Sequence, residues 1–163
     1  MLRYIKGTLD HGIKFEKADK LVLHGFTDSD WARSRDDIRS TSCYLFSLGS
    51  SCFYWSSKKQ ETIAQSTAEA AYIATAATFN QALWLRKLMK NLKMIQDDAT
   101  EIFVDNQAAI AISNNLVFHG QTKHFKIKYY FVKKVQKNNE VRFVDCKTKD
   151  QLADILIKRS VKV

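Results

Sequence analysis

With 163 residues, 45% of them hydrophobic, the chain has the size and composition of one folded domain, which excludes a disordered tail or a fibrous repeat. No apolar run reaches the roughly 18 residues of a membrane-spanning helix, and Met1-Leu2-Arg3-Tyr4-Ile5-Lys6-Gly7 lacks the apolar stretch of a secretory signal. The net charge of +9 calls for an anionic partner, or serves solubility alone.

Residues 1–20 read as a leading segment, and the domain proper as 21–163. Residues 21–29 alternate as a strand ending near Asp28, and the charged stretch from Trp31 to Ser40 reads as a turn region. Residues 41–49 and 51–56, parted by Gly49-Ser50, predict a hairpin. Ser66-Thr67-Ala68-Glu69 has the form of a capping box and opens a helix predicted from about 66 to 92. A short strand follows at 101–105 and a short helix from Gln107 to Ser113. The next helix spans about 123–137, with Ile127, Tyr130, Phe131 and Val135 expected on its inner face. A fifth strand over 140–146 and a last helix over 149–158 close the order βββαβαβα. Strands that start antiparallel and then alternate with helices predict an α/β fold with a mixed five-stranded sheet.

Charge is concentrated late in the chain. Residues 121–163 hold 12 Lys/Arg against 4 Asp/Glu, which favours contact with a nucleic-acid backbone over a merely solvated basic helix. Lys126, Lys133, Lys134 and Lys137 are expected not to share a single face. Cys43, Cys52 and Cys146 are odd in number and lack zinc-type spacing, so they read as free thiols of a reducing compartment. His119 and His124 have no cysteine near enough for zinc.

Four acids stand in distinctive local settings. Asp28 and Asp105 end apolar, strand-like runs, while Glu69 and Asp154 sit on helical stretches. Carboxylates that converge repel one another unless a cation holds them, and a hard divalent ion with oxygen ligands does so. The pattern predicts a Mg²⁺ or Mn²⁺ site on a basic protein and hence phosphodiester chemistry. Competing accounts exist for each weaker position. Glu69 completes a capping box without any further role, Asp30 lies two residues beyond Asp28, and Asp150 lies one helical turn before Asp154.

The local sequences are more specific. Phe26 to Ala32, Arg39 to Phe46, Trp55 to Gln60, Ser66 to Tyr72, Val104 to Ile110, Thr122-Lys123-His124 and Gln151 to Leu156 follow one another without large gaps. Together they resemble the ribonuclease H domain of copia-type retrotransposon polyproteins over about residues 20–158. Residues 1–13 resemble the segment joining it to the reverse transcriptase. The resemblance implies hydrolysis of the RNA strand of an RNA–DNA hybrid, with Asp28, Glu69, Asp105 and Asp154 as ligands of two Mg²⁺ ions, replaceable by Mn²⁺. Ser66, Thr67, Asn106 and Gln107 flank the acids and are candidates for sugar-hydroxyl contacts, although Ser66 also suits a cap. Lys123, His124, Lys126, Lys133 and Lys134 are candidates for phosphate contacts. A cytoplasmic setting, within virus-like particles, and an upstream reverse transcriptase as partner are also implied.

Arg33 and Cys43 stand where the resembled pattern has Gly, Ala71 where a second Glu follows the first, and Tyr130 where it has His. Ile157-Lys158-Arg159 replaces Thr-Lys-Pro. No metal ligand is lost, and the alternative expectation is a weakly active or inactive retained fold that binds nucleic acid or protein. Integrase-type spacing of the acids is absent.

Overall fold

The computed structural model describes residues 20–114 and 123–157, together with Lys6. The expected leading segment thus lies, apart from Lys6 and Lys20, outside the described residues, as does His119. Strands β1 (Leu23–Asp30), β2 (Thr41–Leu48), β3 (Ser51–Lys59), β4 (Thr100–Val104) and β5 (Val141–Asp145) form one sheet in the order β3-β2-β1-β4-β5. Neighbours β1–β2 and β2–β3 are antiparallel; β1–β4 and β4–β5 are parallel. Helices α1 (Thr67–Asn91), α2 (Gln107–Asn114) and α3 (Lys123–Lys137) complete the fold. The mixed five-stranded sheet is therefore as the pattern predicted.

Local sequence explains most elements. Leu48 pairs with Ser51, so Gly49-Ser50 is a two-residue hairpin loop, and Gly49 supplies the left-handed φ of 61°. Ser66 caps α1, its hydroxyl accepting from the Glu69 N–H at 3.1 Å. On β1, Leu23, Gly25 and Thr27 face α1, and Leu23 and Thr27 are buried there. Thr78 of α1 donates to the Thr27 hydroxyl at 2.9 Å, fixing helix against strand. A methyl group on Gly25 would collide with Ile102 and meet Phe46 at 2.9 Å, so the core closes over this position only because it has no side chain. Leu23, Phe46, Tyr72, Phe79, Ile102, Val104, Val132 and Val141 fill the space between sheet and helices. Each such side chain contributes about 1.5–3 kcal/mol through burial.

Several expectations are corrected. The last helix is absent: residues 148–157 form two short 3-10 turns, Thr148–Asp150 and Leu152–Leu156. Gln151 between them is extended, at φ −79° and ψ 97°, because its buried side chain is bonded to strand carbonyls and to the second turn. Asp150 and Asp154 therefore do not share a helical face. The inner face of α3 is also rotated. Phe125, Tyr129, Val132 and Val135 are buried, whereas Ile127 and Tyr130 are 58% and 71% exposed. Val135 and the half-buried Phe131 face the core as expected, but the face is shifted away from Ile127 and Tyr130 because Tyr72 of α1 receives Phe125 and Tyr129 at ring separations of 5.1 and 6.2 Å. At about 100° per residue, Lys126, Lys133, Lys134 and Lys137 fall within an arc of about 100° on the opposite side, so these lysines do share a face.

Candidate metal centre

The alternation of β1 puts Asp28 on the sheet face opposite α1, with Phe26. Phe103 of β4 stacks on Phe26 at 4.9 Å, which places β4's odd-numbered positions on that face, and Asp105 follows immediately after the strand. Because β1 and β4 are parallel neighbours, their C-terminal ends, and with them Asp28 and Asp105, lie side by side. The second 3-10 turn packs over the same face through Ala153 and Ile157, which cluster with Cys43 and Phe26. It brings Asp154 in. One carboxylate oxygen from each of Asp28, Asp105 and Asp154 lies within 4.8 Å of the other two.

Their proximity perturbs Asp28. Its carboxyl is raised from 3.8 to about 7, first by burial, then by a hydrogen bond shared with Asp154 and by the negative charges of Asp105 and Asp154. The Ser29 N–H, 2.6 Å from Asp28 Oδ1, pulls the other way. Hard oxygen donors at this spacing suit Mg²⁺ or Mn²⁺, since ligand oxygens at about 2.0–2.1 Å from an octahedral ion sit about 3–4 Å apart.

Glu69 stands elsewhere. Its Oε2 accepts from the Gln65 N–H at 2.8 Å at the start of α1, and it does not belong to the group of three. The capping arrangement accounts for its present position. Asp30 pairs with Arg33 at 3.2 Å, and Asp150 is exposed outside the group.

Of the residues flanking the acids, Ser66 is occupied as a cap and Thr67 is exposed. Asn106 accepts from the Ala109 N–H at 3.0 Å and caps α2, while Gln107 is exposed. Lys123 and His124 open α3, their side chains outside the described residues. Lys126 and Lys134 are exposed, and Lys133 lies 4.8 Å over the Tyr129 ring. Sequence reasoning passed over Lys58, Lys59 and Lys128, which line an open cleft of about 350 Å³ beside Ser56 and Asn80. The Lys58-Lys59 pair at the end of a strand was a visible signal.

It also gave no positioning role to Gln151, Cys43 and Arg33, which hold the acids. The Gln151 amide donates to the Thr27 and Phe103 carbonyls at 3.0 and 3.3 Å. The Cys43 thiol lies 3.4 Å from both the Asp28 and the Ala153 carbonyls. Arg33 donates to the Ile157 carbonyl as well as pairing with Asp30. All three tie the last turn to the strand ends. The three cysteines are free, and burial, followed by carboxylate charges, pushes Cys43 up to about 12 and Cys146 up to about 11. They are thiols at neutral pH and poor metal ligands in that form. Among the described residues no helix is long and apolar enough to cross a membrane.

No protein-family model matches the chain. It is 39% identical over 158 residues to the retrovirus-related Pol polyprotein from transposon RE2 of Arabidopsis thaliana, an alignment covering 97% of this chain and 11% of that protein. To the corresponding polyprotein from transposon TNT 1-94 of Nicotiana tabacum it is 32% identical, covering 97% of this chain and 12% of the relative. The chain thus spans about a tenth of these relatives' length. Among solved structures it is similar to LC11-RNase H1, isolated from compost by a metagenomic approach. The TM-score is 0.59 at 14% identity, covering 82% of this chain and 90% of that one. The same protein in complex with an RNA/DNA hybrid gives a TM-score of 0.53 at 14% identity over 81% and 91% of the two chains. Over nearly its whole length the chain is thus homologous to a segment, about a tenth as long, of retrovirus-related transposon Pol polyproteins, and it has the ribonuclease H fold.

Proposed function

We propose that this chain is the ribonuclease H domain of a copia-type retrotransposon polyprotein and hydrolyses the RNA strand of RNA–DNA hybrids. The observation that carries the reading is the convergence of Asp28, Asp105 and Asp154 on a fold otherwise found in a protein solved with such a hybrid. Asp28, Asp105 and Asp154 would hold the cations, and Glu69 would join them by giving up its bond to the Gln65 N–H. Two Mg²⁺ ions, or Mn²⁺ in their place, would polarise the scissile phosphate and activate water at this site. Asp28, whose carboxyl is raised by burial and by its neighbours, would have to release its proton to serve as a cation ligand. Asn106, Gln107, Ser66 and Thr67 border the acids and approach sugar hydroxyls. Lys126, Lys133 and Lys134, with Lys123 and His124 at the helix start, meet backbone phosphates, and the exposed Tyr130 lies among them. Residues 21–163 constitute the nuclease domain, residues 1–20 the connection to an upstream reverse transcriptase, and the polyprotein works in the cytoplasm within virus-like particles.

A second reading has one specific observation in its favour: Glu69 is engaged by Gln65 and stands apart from the three aspartates. On that reading the fold binds hybrids without cutting them. Incubation with a labelled RNA–DNA hybrid in Mg²⁺ and in Mn²⁺, beside Asp105→Asn, separates the two. Cleavage of the RNA strand that the substitution abolishes supports the nuclease. Binding at low salt without cleavage in either metal supports the retained binding module.

A further inference from the structure

The parallel pairing of β1 with β4 runs only from His24–Glu101 to Phe26–Phe103. Asp28 and Asp105 lie just past the point where the ladder stops. At that point the side chain of Gln151, 4% exposed, takes over from the backbone. Its amide nitrogen donates to the Thr27 carbonyl at 3.0 Å and the Phe103 carbonyl at 3.3 Å, and lies 3.6 Å from Cys146 Sγ. Its amide oxygen accepts from the Ala153 N–H at 3.2 Å, capping the turn that carries Asp154. Its backbone carbonyl accepts from the Asp154 N–H at 3.2 Å.

One buried side chain thus bonds to three segments, each bearing one of the converging aspartates. We propose that Gln151 is a positioning residue that sets the spacing of Asp28, Asp105 and Asp154 for cation binding. The proposal rests on the metal-centre reading above. A glutamine is needed because the strand carbonyls require donors while the turn's N–H requires an acceptor, and a primary amide supplies both. The acids push the segments apart, and the Gln151 bonds oppose this with a directionality that apolar packing lacks.

Gln151→Met keeps the length and volume of the side chain and removes its donors and acceptor. Three measurements on the full chain test the proposal: amide hydrogen exchange in EDTA, Mn²⁺ affinity from water-proton relaxation, and the urea midpoint. The expected result is exchange at Asp154 and Ser29 at least tenfold faster relative to the Phe79 amide, with Mn²⁺ bound at least tenfold more weakly by the folded variant. Ser29 reports because its N–H is bonded to the Asp28 carboxylate. Unchanged exchange at both positions would overturn the proposal. So would faster exchange with Mn²⁺ affinity as in the parent, because the amide would then stabilise the turn without setting the site. If the parent itself binds no Mn²⁺, the metal reading fails, and the exchange arm alone still decides whether Gln151 places the aspartates. Should Gln151→Met not fold, Gln151→Asn, which keeps a neutral amide but draws it back by one methylene from the Thr27 and Phe103 carbonyls, carries the same comparison.

Discussion

Substituting Asp28→Asn should stabilise the metal-free protein at alkaline pH and weaken it in metal. In the folded chain the Asp28 carboxyl is raised from 3.8 to about 7, chiefly by burial and by its hydrogen bond with Asp154. The folded state therefore holds this proton more tightly than the unfolded chain does. Stability from this group is fully present below pH 4 and is lost as pH rises through about 7. The full shift corresponds to about 4 kcal/mol at about 1.4 kcal/mol per unit. Solvent access and the sharing of a proton with Asp154 reduce the measurable share to about 1–3 kcal/mol. Asparagine keeps an oxygen for the Ser29 N–H and offers an N–H toward Asp154, so it supplies a permanent donor where the proton had been shared. Urea denaturation in EDTA, followed from pH 4 to 8.5, should show the variant gaining on the parent by this amount, with the gain complete near pH 8. Adding Mg²⁺ should stabilise the parent by mass action and leave the variant nearly unmoved, reversing the order. A variant that is no more stable than the parent at pH 8 in EDTA would refute the argument that the aspartates strain one another.

Other consequences follow from single residues. Glu69→Gln retains an oxygen for the Gln65 N–H and should change stability by less than about 0.5 kcal/mol, while hybrid cleavage in Mg²⁺ should fall by orders of magnitude if Glu69 is the fourth ligand; unaltered cleavage kinetics would leave it a cap. Gly25→Ala forces a methyl group against Ile102 and Phe46, and calorimetry should show a loss of about 1–3 kcal/mol. Ile38 is exposed with φ at 56°, a strained conformation for a β-branched residue, so Ile38→Gly should raise the urea midpoint by the equivalent of about 1 kcal/mol. Lys134→Ala should lower hybrid affinity similarly for all sequences and reduce the slope of log affinity against log salt by about one, measured by fluorescence anisotropy.

The contacts of Arg33 and Cys43 bear on the alternative of a drifting, inactive copy. Both replace glycines of the resembled pattern, yet each bonds the last turn to the end of β1. Neither therefore loosens the site. A glycine at position 43 would leave the Asp28 and Ala153 carbonyls without the thiol and open a void in the cluster formed with Ala153 and Ile157. Ala71 is buried in the first turns of α1, and the absence of a second carboxylate there spares the core a charge.

What the sequence alone determined were the properties that depend on neighbours along the chain. Alternation marked β1, Gly49-Ser50 set the β2–β3 hairpin, and Ser66 with Glu69 began α1 where the capping pattern said it would. The four acids also stood out one by one, two near the ends of strand-like runs and two on helical stretches. The tertiary structure decided which acids meet. Asp28, Asp105 and Asp154 converge because β1 and β4 become parallel neighbours across an intervening hairpin and helix, a pairing that no local period encodes. Glu69, at the start of a helix packed on the other face of the sheet, stands at its Gln65 backbone partner rather than in the group of three. The phase of α3 followed from where Tyr72 left room, and the last helix gave way to 3-10 turns once Gln151 found better partners in strand carbonyls than in its own coil. Hydrogen bonds and packing between distant segments outweigh propensity differences of a few tenths of a kcal/mol per residue, about the scale of the local preferences.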